Sequence, residues 1–279
     1  MEKTIDYRHD VIIHGMLFRK HLKEGLLKER DKPHNQIVLK NLMDDGQYLT
    51  GYVDAFNGTK SFHDPIAPLG NLHQQYLSLN KQIIYGPSIL PDEQIQDINT
   101  ESIQAQRGFQ GVDSIINSRL NNMLPQMELL GKAYELNLVK DCLQNIYTHR
   151  KGITITGFSP RGPKGEYTFL HVPGSDLLIA LNSRTKKIPD GACVVVMDNM
   201  LLVDPIGTAL KYFLPPTSLL TRFTMQSSPQ FRVYQLKDTD IPEQVRCNQL
   251  EEENHKNGSL PLKRQKVTRL GNYNRSIRS

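Results

Sequence analysis

Five short apolar runs separated by turn-forming sequences constrain the fold of this chain more than any other feature. The runs are rich in β-branched and aliphatic residues and read ITITGF, YTFLHV, DLLIAL, ACVVVM and LLVD, all between residues 153 and 204. The segments between them, such as SPRGPKGE and NSRTKKIPDG, are rich in Gly, Pro, Ser and charged residues. Runs of this length and composition are typical of strands joined by tight connections. The pattern predicts a mainly antiparallel sheet in this part of the chain.

Helical periodicity marks three other segments. Residues 8–30 carry apolar pairs at four-residue spacing, among them Ile12 and Met16, and predict a helix. Residues 136–146, LNLVKDCLQNI, place their apolar side chains on one face at 100° per residue and predict a second one. A third helix is expected to begin at Asp113 or Ser114, because both residue types are good N-caps.

These elements predict an α+β architecture with N-terminal helices and a hairpin, then a mainly antiparallel β-sheet packed on helices. The hairpin is expected at the DDG sequence of residues 44–46, which joins two apolar stretches. We expect a small helical and β-hairpin region at 1–85, a linker at 86–110 and an α+β domain at 111–237. Residues 238–279 lack periodicity and predict a disordered tail, acidic at first and then basic.

Basic residues are concentrated in two segments, although the net charge of the chain is only +5. Residues 149–187 contain seven basic and two acidic residues, and residues 257–279 contain six basic residues and no acidic ones. An asymmetry of this kind favours an anionic partner more than the total charge does. The first segment lies in connections of the predicted sheet, beside aromatic residues such as Phe158 and Tyr167. Cations with aromatic neighbours are what single-stranded nucleic acid requires.

The leading hypothesis is therefore a non-enzymatic regulatory or binding protein that engages nucleic acid or an acidic protein surface. The tail sequence PLKRQK also fits a short nuclear import signal, which makes the nucleus one expected location. The candidate binding residues are basic and come from the predicted loops and the tail: Arg150, Lys151, Arg161, Lys164, Arg184, Lys186, Lys187, Lys263, Arg264 and Lys266.

The alternative hypothesis is a Cys/His/Asp hydrolase or transferase that uses Cys193 or Cys142 with His171 and Asp204. A helical cysteine followed by His and Asp on a sheet resembles the chain order of papain-like folds. Such enzymes need a base for the thiol and a third group that orients the imidazole. If Asp198 and Asn199 form a two-residue turn, Cys193 faces Asp204 across a hairpin.

Each of these residues also has an expected structural role. Cys142 falls on the apolar face of the predicted helix, where free cysteine packs as a small hydrophobe. Asp204 begins the sequence DPIG, which has the residue preferences of a type I turn. His171 precedes the turn sequence VPG. These structural roles favour the non-enzymatic hypothesis.

The chain shows no recognisable cofactor or metal motif. Its three cysteines and nine histidines occur at spacings that match neither a disulfide framework nor a zinc site. No apolar run approaches the ~20 residues of a membrane span, and the polar start MEKTIDYRHDVIIHG lacks the pattern of a secretory signal. We therefore expect a soluble intracellular protein with no cofactor, no metal and no membrane partner.

Overall fold

The fold was analysed in a computed structural model of the chain. The structure describes residues 4–54, 75–86, 89–147, 152–156, 165–175, 177–181, 185–225 and 229–256. The chain divides into two compact units, which are described separately. Unit 1 comprises residues 1–125 and 201–227, and unit 2 comprises residues 126–200 and 228–279.

Helices and strands are mixed along the chain, and the sheets are mainly antiparallel, as the sequence predicts. Short 3₁₀ turns occur at Leu22–Glu24, Leu39–Asn41 and Leu236–Asp238. The remaining elements, in chain order, are β1 (Asp10–Ile13), β2 (Met16–His21), β3 (Leu26–Glu29), β4 (Gln36–Val38), β5 (Met43–Asp44), β6 (Tyr48–Val53), β7 (Gln75–Asn80), α1 (Lys81–Tyr85), α2 (Asp92–Gln104), β8 (Phe109–Gly111), α3 (Ser114–Leu120), β9 (Gln126–Leu129), β10 (Lys132–Asn137), β11 (Cys142–Asn145), β12 (Gly152–Thr156), β13 (Tyr167–His171), β14 (Leu177–Ala180), β15 (Cys193–Met197), α4 (Met200–Val203), α5 (Pro205–Lys211), β16 (Phe231–Gln235) and α6 (Ile241–Lys256).

The helix expected at residues 8–30 is instead an antiparallel arrangement of β1, β2 and β3. His14 and Gly15 both have positive φ angles, 46° and 82°, and form the two-residue turn between β1 and β2. Strand β1 is buried on both faces: Val11 and Ile13 pack into one apolar cluster and Ile12 into another. A strand covered on both sides shows a continuous apolar run instead of alternation. Without the alternation that marks a half-exposed strand, the apolar residues of this segment matched helical spacing instead.

Unit 1 contains a five-stranded sheet in the order β4-β3-β2-β1-β8 and a three-stranded sheet in the order β5-β6-β7. Strands β5 and β6 form the hairpin predicted at the DDG sequence, with Asp44 paired to Leu49. The apolar cluster that contains Ile12 lies between the five-stranded sheet and helices α3 and α5. The predicted start of α3 is confirmed, because the Asp113 carboxylate accepts a hydrogen bond from the Ile116 amide at 2.7 Å.

The segment expected as a linker, residues 86–110, contains helix α2 and most of strand β8. The side chain of Asn99 on α2 forms two hydrogen bonds with the backbone of Gly111 on β8. Its Nδ2 donates to the Gly111 carbonyl at 3.0 Å, and its Oδ1 accepts from the Gly111 amide at 2.7 Å. The amide side chain thus covers the free edge of β8 as a neighbouring strand would. These hydrogen bonds fix α2 against β8, and the local sequence of this polar segment does not reveal them.

Unit 2 is built on an eight-stranded sheet in the order β16-β15-β13-β14-β12-β11-β10-β9. The pairings are antiparallel except that of β12 with β14. The two edge strands β16 and β9 approach each other, which leaves the sheet nearly closed. Helix α6 packs against the sheet through the buried Ile241 and Val245, which share an apolar cluster with Leu170 and Val194. The expectation of a disordered tail from residue 238 is thus wrong up to residue 256, and residues 257–279 lie outside the described residues.

The helix expected at residues 136–146 is the hairpin of β10 and β11. Leu136 and Leu143 are buried cross-strand partners in it. The Asn137 side chain accepts a hydrogen bond from the Lys140 amide at 3.0 Å, and Asp141 has a positive φ of 50°. Asn and Asp tolerate such turn conformations better than most residues. Two short strands with buried leucines therefore matched the pattern of one amphipathic helix.

Candidate functional site

Most of the basic residues predicted from the sequence lie outside the described residues. This holds for five residues of the 149–187 segment and for the three of the tail: Arg150, Lys151, Arg161, Lys164, Arg184, Lys263, Arg264 and Lys266. Two others are described. Lys186 forms an ion pair with Glu252 of α6, and Lys187 is exposed. The role expected of these residues remains a prediction.

Cys193 and His171 are direct cross-strand partners on β15 and β13. The Cys193 thiol is buried and donates a hydrogen bond to the His171 backbone carbonyl, with the sulfur 3.3 Å from the oxygen. Burial raises the pKa of this thiol, which favours the protonated and unreactive form. The His171 ring is also buried, with Nδ1 3.2 Å from the Leu177 carbonyl oxygen. This geometry is typical of a structural contact between two strands and not of an activated nucleophile.

Asp204 does not face Cys193, because the residues after Asp198 and Asn199 form helices α4 and α5 instead of a returning strand. Asp204 is the N-cap of α5, and its Oδ1 accepts a hydrogen bond from the Gly207 amide at 2.7 Å. Pro205 occupies the first helical position, where a missing amide proton costs nothing. The DPIG sequence is thus a helix start and not a type I turn.

The Asp204 carboxylate also accepts hydrogen bonds from Arg119. The Arg119 Nε donates to the two carboxylate oxygens at 3.0 and 3.2 Å. Asp204 also belongs to unit 1, whereas His171 and Cys193 belong to unit 2. A carboxylate held in this way is not available to orient an imidazole. The expected hairpin register of Cys193 and Asp204 is therefore wrong.

Cys142 lies on strand β11, not on a helix. Its side chain is partly buried, and burial raises its thiol pKa. Among the described residues, the charged groups that act on this pKa are Lys140, which lowers it, and Asp141, which raises it, and neither is the imidazolium that activates a catalytic thiol. The packing role expected of Cys142 stays a prediction, and the element that carries this residue is a strand instead of the expected helix.

A groove in unit 1 is a different candidate site. It has a volume of about 980 Å³ and is lined by residues of β2 and β3, the segment after β3, the helices α3 and α5, and the segment after α5. Its cationic lining comes from residues of the five-stranded sheet, its following loop and α3: Arg19, Lys28, Arg30, Lys32 and Arg119. Apolar side chains such as Leu17, Leu120 and Ile206 complete the walls. The carboxylates of Glu29 and Asp31 line the groove as well, but the basic side chains outnumber them. A lining of this kind suits a ligand that is anionic in one part and apolar in another.

The central row of the groove crosses three strands. Arg19 on β2 is the direct cross-strand partner of Asp10 on β1 on one side and of Lys28 on β3 on the other. The Arg19 Nε lies 3.5 Å from Asp10 Oδ1, and about half of the Arg19 side chain is exposed. Like charges placed directly opposite each other destabilise a sheet. The juxtaposition of Arg19 and Lys28 is unfavourable by itself and is partly offset, because Arg19 lies beside Asp10 and Lys28 pairs with Glu24 at 2.6 Å.

Arg30 shares the Asp10 carboxylate with Arg19. Its Nε donates to Asp10 Oδ2, and its guanidinium lies over the Tyr7 ring, 4.5 Å from the ring centroid. Asp10 is fully buried, and burial raises its pKa against the opposing effect of Arg30. The Nη2 atom of Arg30 is buried and has no hydrogen-bond acceptor among the described residues. A buried donor without an acceptor costs about 1–3 kcal/mol, and more when it is charged.

The sequence contains a signal for this groove that the helical prediction concealed. Arg19 and His21 alternate along β2, as Lys28 and Arg30 do at the end of β3, so that each pair points to one face of a strand. On a helix the two members of each pair would point in nearly opposite directions, because residues two positions apart differ by about 200°. Arg119 carried no signal in the sequence, because its partner Asp204 is 85 positions away.

Neither a metal centre nor a membrane span is found within the described ranges. The described residues contain no group of three or more His, Cys, Asp or Glu side chains that could hold a metal ion. Among the same residues, no helix combines the length and the apolar character needed to cross a bilayer. Comparison with protein-family models, curated proteins and solved structures finds no match to this chain, so the groove is interpreted from its own chemistry.

Proposed function

We propose that this protein is a non-enzymatic binding protein that engages an anionic partner in the groove of unit 1. The observation that carries the proposal is the set of basic side chains that line the groove, among which Arg19 is about half exposed and Lys32 is exposed. Accessible guanidinium and ammonium groups attract oxyanions. An oxyanion of the bound partner would contact these groups.

The charges around Arg30 support the same conclusion. A guanidinium binds carboxylate or phosphate oxygens in a planar, two-pronged geometry, which a lysine ammonium cannot reproduce. Arg19 and Arg30 share one carboxylate, that of Asp10, so the cluster of three retains one positive charge. Lys32 is exposed at the groove and forms no ion pair with any residue that the structure describes. A bound anion would also relieve the opposition of Arg19 and Lys28.

Nucleic acid and acidic protein surfaces are the partner classes that the charge distribution favours. The basic residues of 149–187 and 257–279 would add electrostatic attraction to either. Within the proposal, the groove provides the specific contacts and these segments provide additional reach. Nuclear location stays a prediction, tied to the PLKRQK sequence.

The proposal is tested by measuring binding of fluorescein-labelled oligothymidylate and of labelled polyglutamate by fluorescence anisotropy, over a range of salt concentrations. If phosphates contact the groove, replacing Arg19 with Gln should weaken oligothymidylate binding. It should also flatten the slope of log K against log salt by about 0.7 for a single strand. Arg246→Gln is the matched control, because this arginine is exposed on α6 of unit 2. Equal effects of the two variants, or no binding of either polyanion, would reject the groove as the site.

A further inference from the structure

The end of helix α5 presents three consecutive apolar side chains to solvent. Tyr212, Phe213 and Leu214 are 63%, 97% and 43% exposed. Scattered exposed apolar residues are common in proteins, but a contiguous exposed patch usually marks a binding surface. The three residues are called the apolar tip below.

The backbone of the apolar tip is also unfavourable for its sequence. The Leu214 amide donates to the Ala209 carbonyl at 2.9 Å, and the Phe213 amide donates to the Leu210 carbonyl at 3.1 Å. This is a Schellman motif, and its left-handed position is usually glycine. Here that position is Phe213, with φ of 58°. A left-handed conformation costs a residue with a side chain about 1–2 kcal/mol.

Two properties of Phe213 therefore lower the stability of the fold, and its side chain adds almost no packing. It holds a strained backbone conformation, and almost all of its side chain contacts water. Strained residues tend to occur at functional sites, where the surrounding structure holds them in place. A glycine would form the same helix end at lower cost. The phenylalanine is thus better explained by binding than by folding.

The apolar tip lies at the rim of the basic groove. Leu210, immediately before α5 ends, and Pro215, immediately after the tip, both line the groove. The three tip residues lie between these two in the chain and are not themselves among the residues that line the groove. The tip and the cationic groove thus belong to neighbouring parts of unit 1.

We propose that Phe213 is a stacking platform for a base of single-stranded nucleic acid whose phosphates lie in the groove. This inference rests on the proposed function and specifies the class of its partner. Proteins that bind single strands combine a cationic groove with aromatic side chains on which bases stack. A single strand can place its phosphates on the cations of the groove while one of its bases stacks on the neighbouring aromatic ring. An acidic peptide would satisfy the cations but would not require an exposed aromatic ring at the rim.

The first test replaces Phe213 with Gly and measures binding of fluorescein-labelled oligothymidylate by anisotropy. Base stacking on an aromatic residue contributes about 1–3 kcal/mol, so we expect affinity to fall about 5- to 150-fold. The salt dependence should not change, because no phosphate contact is removed. Unfolding by urea should show a protein at least as stable as the wild type, which excludes misfolding as the cause. Leu130→Gly is the control, since Leu130 in unit 2 is 47% exposed and also has a positive φ, 51°.

A second test uses the fact that the chain contains no tryptophan. The variant Phe213→Trp carries one tryptophan at the tip, and stacking of a base should quench its emission. Oligothymidylate should quench this emission, and an abasic oligonucleotide of equal length and charge should not. Vesicles of anionic phospholipid would shift the emission to shorter wavelength if the tip inserted into a membrane instead, and that result would overturn the inference.

The outcomes separate this inference from the proposed function. If oligothymidylate binds with dependence on Arg19 but not on Phe213, the groove stands and the stacking role is rejected. If only polyglutamate binds in the groove, the anionic partner stands and the nucleic acid is rejected. If neither polyanion depends on Arg19, both proposals fail.

Discussion

Arg119 and Asp204, 85 positions apart in the sequence, form a buried ion pair that joins helix α3 to the first turn of α5. The Arg119 Nε donates to Asp204 Oδ1 at 3.0 Å and to Oδ2 at 3.2 Å, and neither side chain is more than 5% exposed. The Gly207 amide donates to the same carboxylate. The contact brings the segment of residues 201–227 onto the N-terminal part of unit 1. It also holds Arg119 in the wall of the groove.

Breaking this ion pair should be strongly destabilising. Asp204→Asn retains an acceptor for the helix cap but leaves the buried Arg119 charge unpaired, which typically costs about 3–5 kcal/mol. The double variant Arg119→Met with Asp204→Asn removes the unpaired charge as well, so it should be more stable than Asp204→Asn alone. Urea unfolding of the wild type, both single variants and the double variant measures the coupling. Independent, additive losses would contradict a direct ion-pair role.

Gly15 should tolerate no side chain. Its φ is +82°, and a Cβ at this position would come within 2.8 Å of the Ser218 Cα. Gly25 provides a matched control, with φ of +67° but no atom within 4 Å of the added Cβ. Gly25→Ala should cost only the left-handed conformation, about 1–2 kcal/mol. Gly15→Ala should cost clearly more, because backbone must also move. Equal losses in urea unfolding would show that Ser218 does not constrain the turn.

His14 should make the protein less stable in mild acid. Burial lowers the pKa of His14 from 6.5 to about 4, against a smaller opposing effect of the Tyr76 backbone. Between these two values the unfolded chain binds a proton that the folded chain does not, so stability falls as the pH falls through this range. The loss is 1.36 kcal/mol per pH unit, or roughly 3 kcal/mol over the whole interval.

The variant His14→Asn isolates this effect. Asparagine tolerates the positive φ of the turn and precedes Gly15, which gives the favoured Asn-Gly hairpin sequence. The carboxylates that also titrate in acid are common to both proteins, so the difference in unfolding free energy reports His14 alone. The unfolding free energy of the wild type minus that of the variant should fall by roughly 3 kcal/mol as the pH is lowered from 6.5 to 4. A constant difference would mean that His14 titrates normally.

The cysteines should differ in their reaction with iodoacetamide in the native protein. Cys247 is exposed and should react first, and Cys142 is partly buried and should react more slowly. Cys193 is buried with a raised thiol pKa and should be protected until the protein unfolds. Peptide mapping after brief alkylation measures all three rates. Preferential alkylation of Cys193 would restore the hypothesis of a cysteine hydrolase.

Local sequence signals predicted the elements that depend on their own residues. The Asp113 cap of α3, the hairpin at residues 44–46 and the strand runs of β13 to β15 are all present. In each case the signal is short-range: a capping carboxylate, a turn dipeptide or a run of β-branched residues. The same kind of evidence placed a backbone role at Asp204, although it chose a turn instead of a helix cap.

Periodicity failed where burial on both faces, or two adjacent strands, produced a helix-like pattern. The segments of residues 8–30 and 136–146 both contain apolar residues four positions apart, yet they fold as antiparallel strands. Strand β1 is apolar throughout because one cluster covers each of its faces. Which faces are covered depends on residues far along the chain. The sequence of β1 alone could not distinguish the two structures.

The sequence by itself determined the mixed class of the fold and its antiparallel character, because composition and local turn chemistry are sufficient for these. The anionic partner is a proposal that rests on the uneven distribution of charge in the sequence. Only the tertiary structure decided where a partner could bind. Arg19, Lys28 and Arg30 come together because β1, β2 and β3 pair side by side, and Arg119 joins them through Asp204. The apolar tip is a candidate binding surface because α5 ends next to that groove. These are contacts between distant segments, and no local pattern encodes them.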